Sequence, residues 1–280
     1  MKFLVVAGDK RQEYLCEKIK QSGNECVWLN EKDGEMTDYT ISDFSVVVLP
    51  VPLSRDGVNL FFEEERFVCG IDEFLNCINK QQHIICFGMP EKYCRYLDRK
   101  NIKYTDLMKN NDFIEYNSLL TAQGTIRLIL ENTQRYILGN KVLVTGYGSV
   151  SKALCKTLHS LGLNVTVCAR NPIALSDAKN MGYDCVTFDW LDVKINDYNL
   201  IFGTVPANVI KEDCIKNIND EAIYFELASA PYGAERVLFD KHNKKYVFGG
   251  GLPGKYCPES WAQAVSEYCT SLILCKEENL

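Results

Sequence analysis

The chain has 280 residues, 46% of them hydrophobic and 24% charged, the balance of an ordinary globular protein long enough for one large or two medium domains. A formal net charge of −6, with no basic stripe, excludes nucleic acid as the expected partner. The first apolar run, residues 3–7, is too short for a signal peptide or a membrane span, so a cytoplasmic protein with no membrane partner is expected.

Strands are expected at 3–7, 25–29, 45–49, 83–87 and 102–104, alternating with a helix that runs from a turn at 8–12 to about Ser22 and helices at 67–79 and 91–99. Each strand is a continuous apolar run closed by polar residues, glycine or proline, which is how a parallel sheet covered on both faces reads. Residues 1–116 are therefore expected to form a first α/β domain. Asn117 or Ser118 can cap a long helix with Leu119, Ala122, Ile126, Ile129 and Ile137 on one face and Gly139-Asn140 as its stop, a linker over 117–139. Gly124 inside it costs about 1 kcal/mol relative to alanine, which close approach of a neighbour or ligand would explain.

The most informative stretch follows. Val142–Thr145 is a short β-branched run, Gly146-Tyr147-Gly148 breaks it, and Val150, Ala153, Leu154, Leu158 and Leu161 continue at helical spacing before Gly162 and a second buried strand at 164–168. This is a strand–glycine turn–helix–strand unit. Gly146 suits the tight turn, Gly148 lets a pyrophosphate approach the backbone, and the helix N-terminus at Ser149 and Val150 holds the anion. Ser151 stands at the third glycine position of the dinucleotide fingerprint. The acidic residue expected about 20 residues on, to bond a ribose 2′-hydroxyl, is missing; Arg170 and Asn171 stand there instead, and a guanidinium suits a 2′-phosphate, so the cofactor reads as NADP, with NAD the alternative.

Further strands are expected at 184–187, 198–202, 222–227 and 245–248. Small residues after them, at Thr204, Val205 and Pro206, at Leu227 and Ala228, and at Gly251, Leu252 and Pro253, should flank the ribose and nicotinamide. Residues 140–256 are thus the expected nucleotide domain. From Pro258 a last helix carries Trp261, Ala264, Val265, Tyr268, Leu272 and Cys275 on one face; over 257–280 it is expected to pack on the linker or the first domain, with an oligomer contact as its other use. The fold class is α/β, two doubly wound domains joined by a long helix. Thirteen scattered cysteines with no CxxC pair read as reduced core thiols, and no metal site is expected.

The segments GDKRQ at 8–12, YNSLLTAQGTI at 116–126, VLVTGYGSVSKALCKTL at 142–158, ELASAPYG at 226–233 and GLPGKYCPESWAQ at 251–263 together resemble the A-subunit of bacterial dipicolinate synthase, in the same order over nearly the whole chain. That resemblance implies a two-domain Rossmann-like NAD(P)-binding oxidoreductase of the sporulating mother cell. It implies a flavoprotein-like dipicolinate synthase B-subunit as partner and the conversion of dihydrodipicolinate, from the lysine pathway, to dipicolinate. Ala230-Pro231-Tyr232 stands where the family pattern is closer to Arg-Pro-Gly. A dicarboxylate substrate needs cationic or N–H-rich partners, for which Arg11 in GDKRQ and Asn117, Ser118 and Thr121 at the expected helix start are the candidates. No residue presents itself as general base; His83, His159 and His242 lie in structural contexts. The alternatives are another two-domain NADP-dependent dehydrogenase of a small carboxylic acid and a non-catalytic nucleotide-binding subunit.

Overall fold

A computed structural model describes residues 1–30, 41–63 and 68–277, with side chains through Ser271. The chain divides into two compact units, one of residues 1–114 with the segment from Cys257, the other of 115–256.

The first unit holds β1 Lys2–Val6, α1 Lys10–Gln21, β2 Glu25–Leu29, β3 Val46–Val48, α2 Ile71–Asn76, β4 His83–Cys86, α3 Glu91–Arg99 and β5 Lys103–Asp106. Its five strands are parallel, in the order β2-β1-β3-β4-β5. Apolar residues fill consecutive strand positions because helices cover both faces: Leu4, Val6, Val47 and Ile84 pack with Phe74, Leu75, Tyr93 and Leu97. The expected helix over 67–79 is shorter; it starts at Ile71 behind Gly70, and Phe67 lies outside the described residues.

The next helix, α4 Asn111–Asn132, departs from the expected 117–139 at both ends. Asn110 accepts from the Phe113 amide at 2.9 Å, so the cap lies seven residues before Asn117. Asn132 turns its side chain back to the Leu128 carbonyl at 2.8 Å, closing the helix there. Gly139-Asn140 does something else. The Gly139 amide donates to the Gly162 carbonyl at 3.0 Å and the Asn140 carbonyl accepts from Asn164 at 2.9 Å, which ties together the starts of two strands. Gly124 is explained by a neighbour, since a Cβ there would lie 2.9 Å from the Leu252 Cβ.

The second unit continues with β6 Lys141–Thr145, α5 Ser149–Ser160, β7 Asn164–Cys168, α6 Pro172–Asn180, β8 Asp184–Val186, α7 Leu191–Lys194, β9 Leu200–Gly203, α8 Glu212–Lys216, β10 Ile223–Glu226, α9 Arg236–Lys241, β11 Lys245–Phe248 and α10 Leu252–Tyr256. All six strands are parallel, in the order β11-β10-β9-β6-β7-β8. Alternate residues serve opposite layers. Val142, Val144, Phe202 and Phe225 face Leu128, Ile129, Leu154 and Leu158, while Leu143, Ile201 and Tyr224 face Leu191, Ile215 and Phe239.

The helix α11 Pro258–Glu277 returns to the first unit and packs on α1. Trp261 and Val265 are buried as its apolar face requires; the side chains of Leu272 and Cys275 lie outside the described residues. The described cysteines are free, and all but Cys69, Cys77 and Cys185 are buried. Among the described residues no helix is long and apolar enough to cross a membrane.

Candidate functional site

Because every strand of the second unit is parallel, their C-terminal ends share one edge of the sheet. From β6 the chain runs outward through β7 and β8, then returns to place β9 on the other side of β6. The order reverses between β6 and β9, and a crevice opens at such a switch point.

At that point Gly146 (φ +81°) makes the turn off β6, and Gly148, extended, caps α5 without offering a side chain to its first N–H groups. A Cβ on Gly146 would lie 2.8 Å from Val205 Cγ2; one on Gly148 would meet nothing within 4 Å. The space before the helix N-terminus is thus open, and Gly146 is the position where the turn requires glycine. That fits a dinucleotide pyrophosphate, held by N–H groups and the helix dipole. Ser151 is buried, and its Oγ lies 2.6 Å from Thr204 Oγ1, which donates to the Thr145 carbonyl at 2.6 Å. The residue at the third glycine position therefore ties α5 to the ends of β6 and β9. Tyr147 sets its ring edge-on to Tyr183, 6.4 Å between centroids, with the Lys152 ammonium 5.3 Å from its centre. Burial pushes its hydroxyl up to about 12.

The other expected cofactor residues fall on the same edge. Arg170 is exposed just beyond β7, and Asn171 accepts from the Ile173 amide at 2.9 Å, capping α6. Val205 and Pro206 follow β9, and Leu227 and Ala228 follow β10. Gly251 is exposed after β11, whereas Leu252 and Pro253 are buried, Leu252 against Gly124.

The expected substrate residues are differently placed. Arg11 belongs to the first unit and is 4% exposed. Asp9, the N-cap of α1, grips it through Nε at 2.9 Å and Nη2 at 2.8 Å, and the same Nη2 donates to the Val51 carbonyl. Its plane lies over Trp261, 5.3 Å from the ring centre. Asn117, Ser118 and Thr121 lie inside α4 in the second unit, where the Thr121 hydroxyl donates to the Asn117 carbonyl at 2.8 Å. Their amides belong to the helical ladder, so the helix-start N–H role expected of them is not available. The histidines are engaged: His83 with Thr105, His159 against Tyr183, His242 with Glu212.

One residue carries more of the site than its sequence context suggests. Glu226, last in β10 and fully buried, accepts from the amides of Ala228 at 3.0 Å, Gly233 at 2.9 Å and Ala234 at 3.2 Å, and from the Tyr224 hydroxyl at 3.0 Å. Burial pushes its carboxyl up, and the four donors pull the other way. Tyr224 is raised well above the usual phenol range by its own burial and by Glu226. A Cβ on Gly203 would sit 2.0 Å from the Tyr224 oxygen, so β9 must pass bare at that point. The signal was an acid in an otherwise apolar strand with no nearby cation.

Two family descriptions divide the chain between them. Residues 2–108 match the N-terminal domain of the dipicolinate synthase A-subunit, and residues 120–233 match the NAD binding domain of S-adenosyl-L-homocysteine hydrolase. The dipicolinate synthase A-subunit of Bacillus subtilis is 25% identical over 287 aligned residues, covering 98% of this chain and 96% of that protein. The chain is thus similar to the dipicolinate synthase A-subunit over nearly its whole length. The crystal structure of the A-subunit from Bacillus halodurans agrees in fold at a TM-score of 0.84 and 20% identity, covering 97% of each chain. That of the B. subtilis protein agrees at 0.81 and 22%, covering 100% of this chain and 98% of the other. The second unit is an NAD(P)-binding Rossmann domain.

Proposed function

We propose that this chain is the dinucleotide-binding half of a dipicolinate synthase, oxidising dihydrodipicolinate to dipicolinate with NADP, together with a B-subunit, in the mother-cell cytoplasm of a sporulating bacterium. The observation that carries this reading is the open glycine cradle before α5, in a chain similar along its whole length to the dipicolinate synthase A-subunit. The reaction removes a hydride and a proton and leaves an aromatic ring, so the driving force lies in the substrate and the protein's work is orientation. When bound, a nicotinamide dinucleotide supplies the hydride acceptor. Gly146, Tyr147, Gly148, Ser149 and Val150 hold its pyrophosphate, Thr204, Val205, Pro206, Leu227, Ala228 and Gly251 flank its far half, and Arg170 with Asn171 meets the ribose beyond β7.

The exposed guanidinium of Arg170 supports NADP over NAD. Arg170→Ala should weaken NADPH binding about tenfold, the loss of one charge-assisted contact, and leave NADH binding within twofold by isothermal titration. Equal losses for both would remove the 2′-phosphate role. For the substrate carboxylates, the candidates remain Arg11 in the first unit and, separately in the second, the side chains of Asn117, Ser118 and Thr121; Asp9 already matches the Arg11 charge.

The decisive test supplies the purified chain with NADP⁺ and fresh hydroxy-tetrahydrodipicolinate, with and without the B-subunit, and follows dipicolinate by terbium luminescence. Product above the spontaneous rate that requires this chain supports the synthase reading. No acceleration with either mixture, nucleotide binding being intact, overturns it. One observation favours a second reading as a non-catalytic nucleotide-binding subunit: the buried carboxylate at this edge, Glu226, is committed to four donors and is not free to act as a base.

A further inference from the structure

Beyond the pyrophosphate cradle, the same sheet edge carries two aromatic rings that the fold does not bury. Tyr232, in the loop after β10, is 37% exposed, and Phe248, the last residue of β11, is 52% exposed. They stand edge to face, 5.7 Å between centroids at 87°. Phe248 pairs in register with Glu226, so both rings lie at the C-terminal end of the β10–β11 half of the sheet.

Tyr232 is held there against its conformational preference. Its φ is +63°, a left-handed value that glycine adopts freely and a tyrosine does not. The loop is fixed on both sides of the ring: the Tyr232 amide donates to the Ser229 carbonyl at 3.0 Å, and Glu226 holds the amides of Gly233 and Ala234. A side chain is thus kept outward, rigid and apolar where a bare residue would be easier.

The edge itself says what belongs on it. A dinucleotide whose pyrophosphate sits between β6 and β9, and whose adenosine ribose lies beyond β7, extends its other half over β9 and β10. That half ends in a flat ring, cationic when oxidised, and an aromatic face attracts such a ring by stacking and by cation–π attraction. We propose that Tyr232 and Phe248 form the surface on which the nicotinamide ring lies, an inference that rests on the dinucleotide reading above.

The test compares two ligands on the full chain by isothermal titration: NADP⁺, and 2′-phospho-ADP-ribose, which lacks the nicotinamide. Tyr232→Gly suits the left-handed backbone and removes the ring, so it should fold at least as well as the parent. Phe248→Leu keeps the bulk and removes the aromatic face. Each should weaken NADP⁺ about fivefold, one aromatic contact's worth, with 2′-phospho-ADP-ribose unchanged within experimental spread. NADPH, whose ring is neutral, should lose less than NADP⁺. Unchanged NADP⁺ affinity, or equal losses for NADP⁺ and the fragment, would overturn the proposal. A parent chain that binds neither ligand would overturn the dinucleotide reading and this one with it.

Discussion

Replacing Glu226 with alanine should cost the second unit about 4 kcal/mol, because three amides and a phenol lose their acceptor inside a site that water does not reach, and a cavity is left behind. The expected result is a large downward shift of the urea midpoint at unchanged slope. Glutamine should not rescue it, since its carboxamide turns an NH₂ toward either Ala228 or the Gly233 and Ala234 pair, donor against donor. The loss should carry a pH signature. The folded carboxyl is raised above its ordinary 4.5, so the folded state binds the proton more tightly than the unfolded one. The stability tied to that proton is complete below about 4.5 and declines as pH rises through the folded value. The variants should lack that decline. A penalty below about 1 kcal/mol would mean that the loop amides find other acceptors and that Glu226 does not anchor the loop.

Trp261→Ala should destabilise the first unit by a similar amount, about 4 kcal/mol. The indole is 1% exposed, with Phe87 at 4.9 Å and Phe113 at 6.2 Å between centroids and the Arg11 guanidinium over its face. Truncation leaves a hole that rigid rings cannot refill and uncovers a guanidinium whose plane had an aromatic floor. Chemical denaturation should show the loss, and protease should reach α11 earlier than in the parent. Phe at 261 should restore more than half of the loss; equal damage from Phe and Ala would mean that bulk and stacking are not what holds the helix.

The parallel sheets were readable because buried strands with helices on both sides must be continuous apolar runs, and those between Val142 and Cys168 have no competing pattern. The glycine turn was readable for the same reason: few structures need glycine on both sides of one residue between a strand and a helix. The ends of α4 were not. Asn117 and Ser118 look like caps, but the residues before them, Asp112 to Tyr116, are equally fit for helix, and the cap that forms is Asn110. Gly139-Asn140 looks like a stop signal and is instead a clasp to Gly162 and Asn164, partners 23 and 24 residues away that local pattern cannot supply. Glu226 was hidden in the same manner. Its donors come from three positions of the following loop and from Tyr224, and only the folded loop brings them to one carboxylate. Arg11, in the GDKRQ turn, reads as a carboxylate partner, and its burial beneath Trp261 depends on a helix about 250 residues later in the chain that local pattern cannot supply.

That last arrangement bears on how the protein is made. Synthesis runs from the N-terminus, and α11 leaves the ribosome only after every residue of the nucleotide-binding unit. The first unit to begin is therefore the last to be finished: its sheet can assemble early, but the surface of α1 stays uncovered while more than a hundred further residues emerge and fold. During that interval the face of α1 that α11 covers in the finished protein stays open. A newborn chain stalled in the second unit should be a substrate for chaperones that bind such surfaces, and release of α11 should end the dependence.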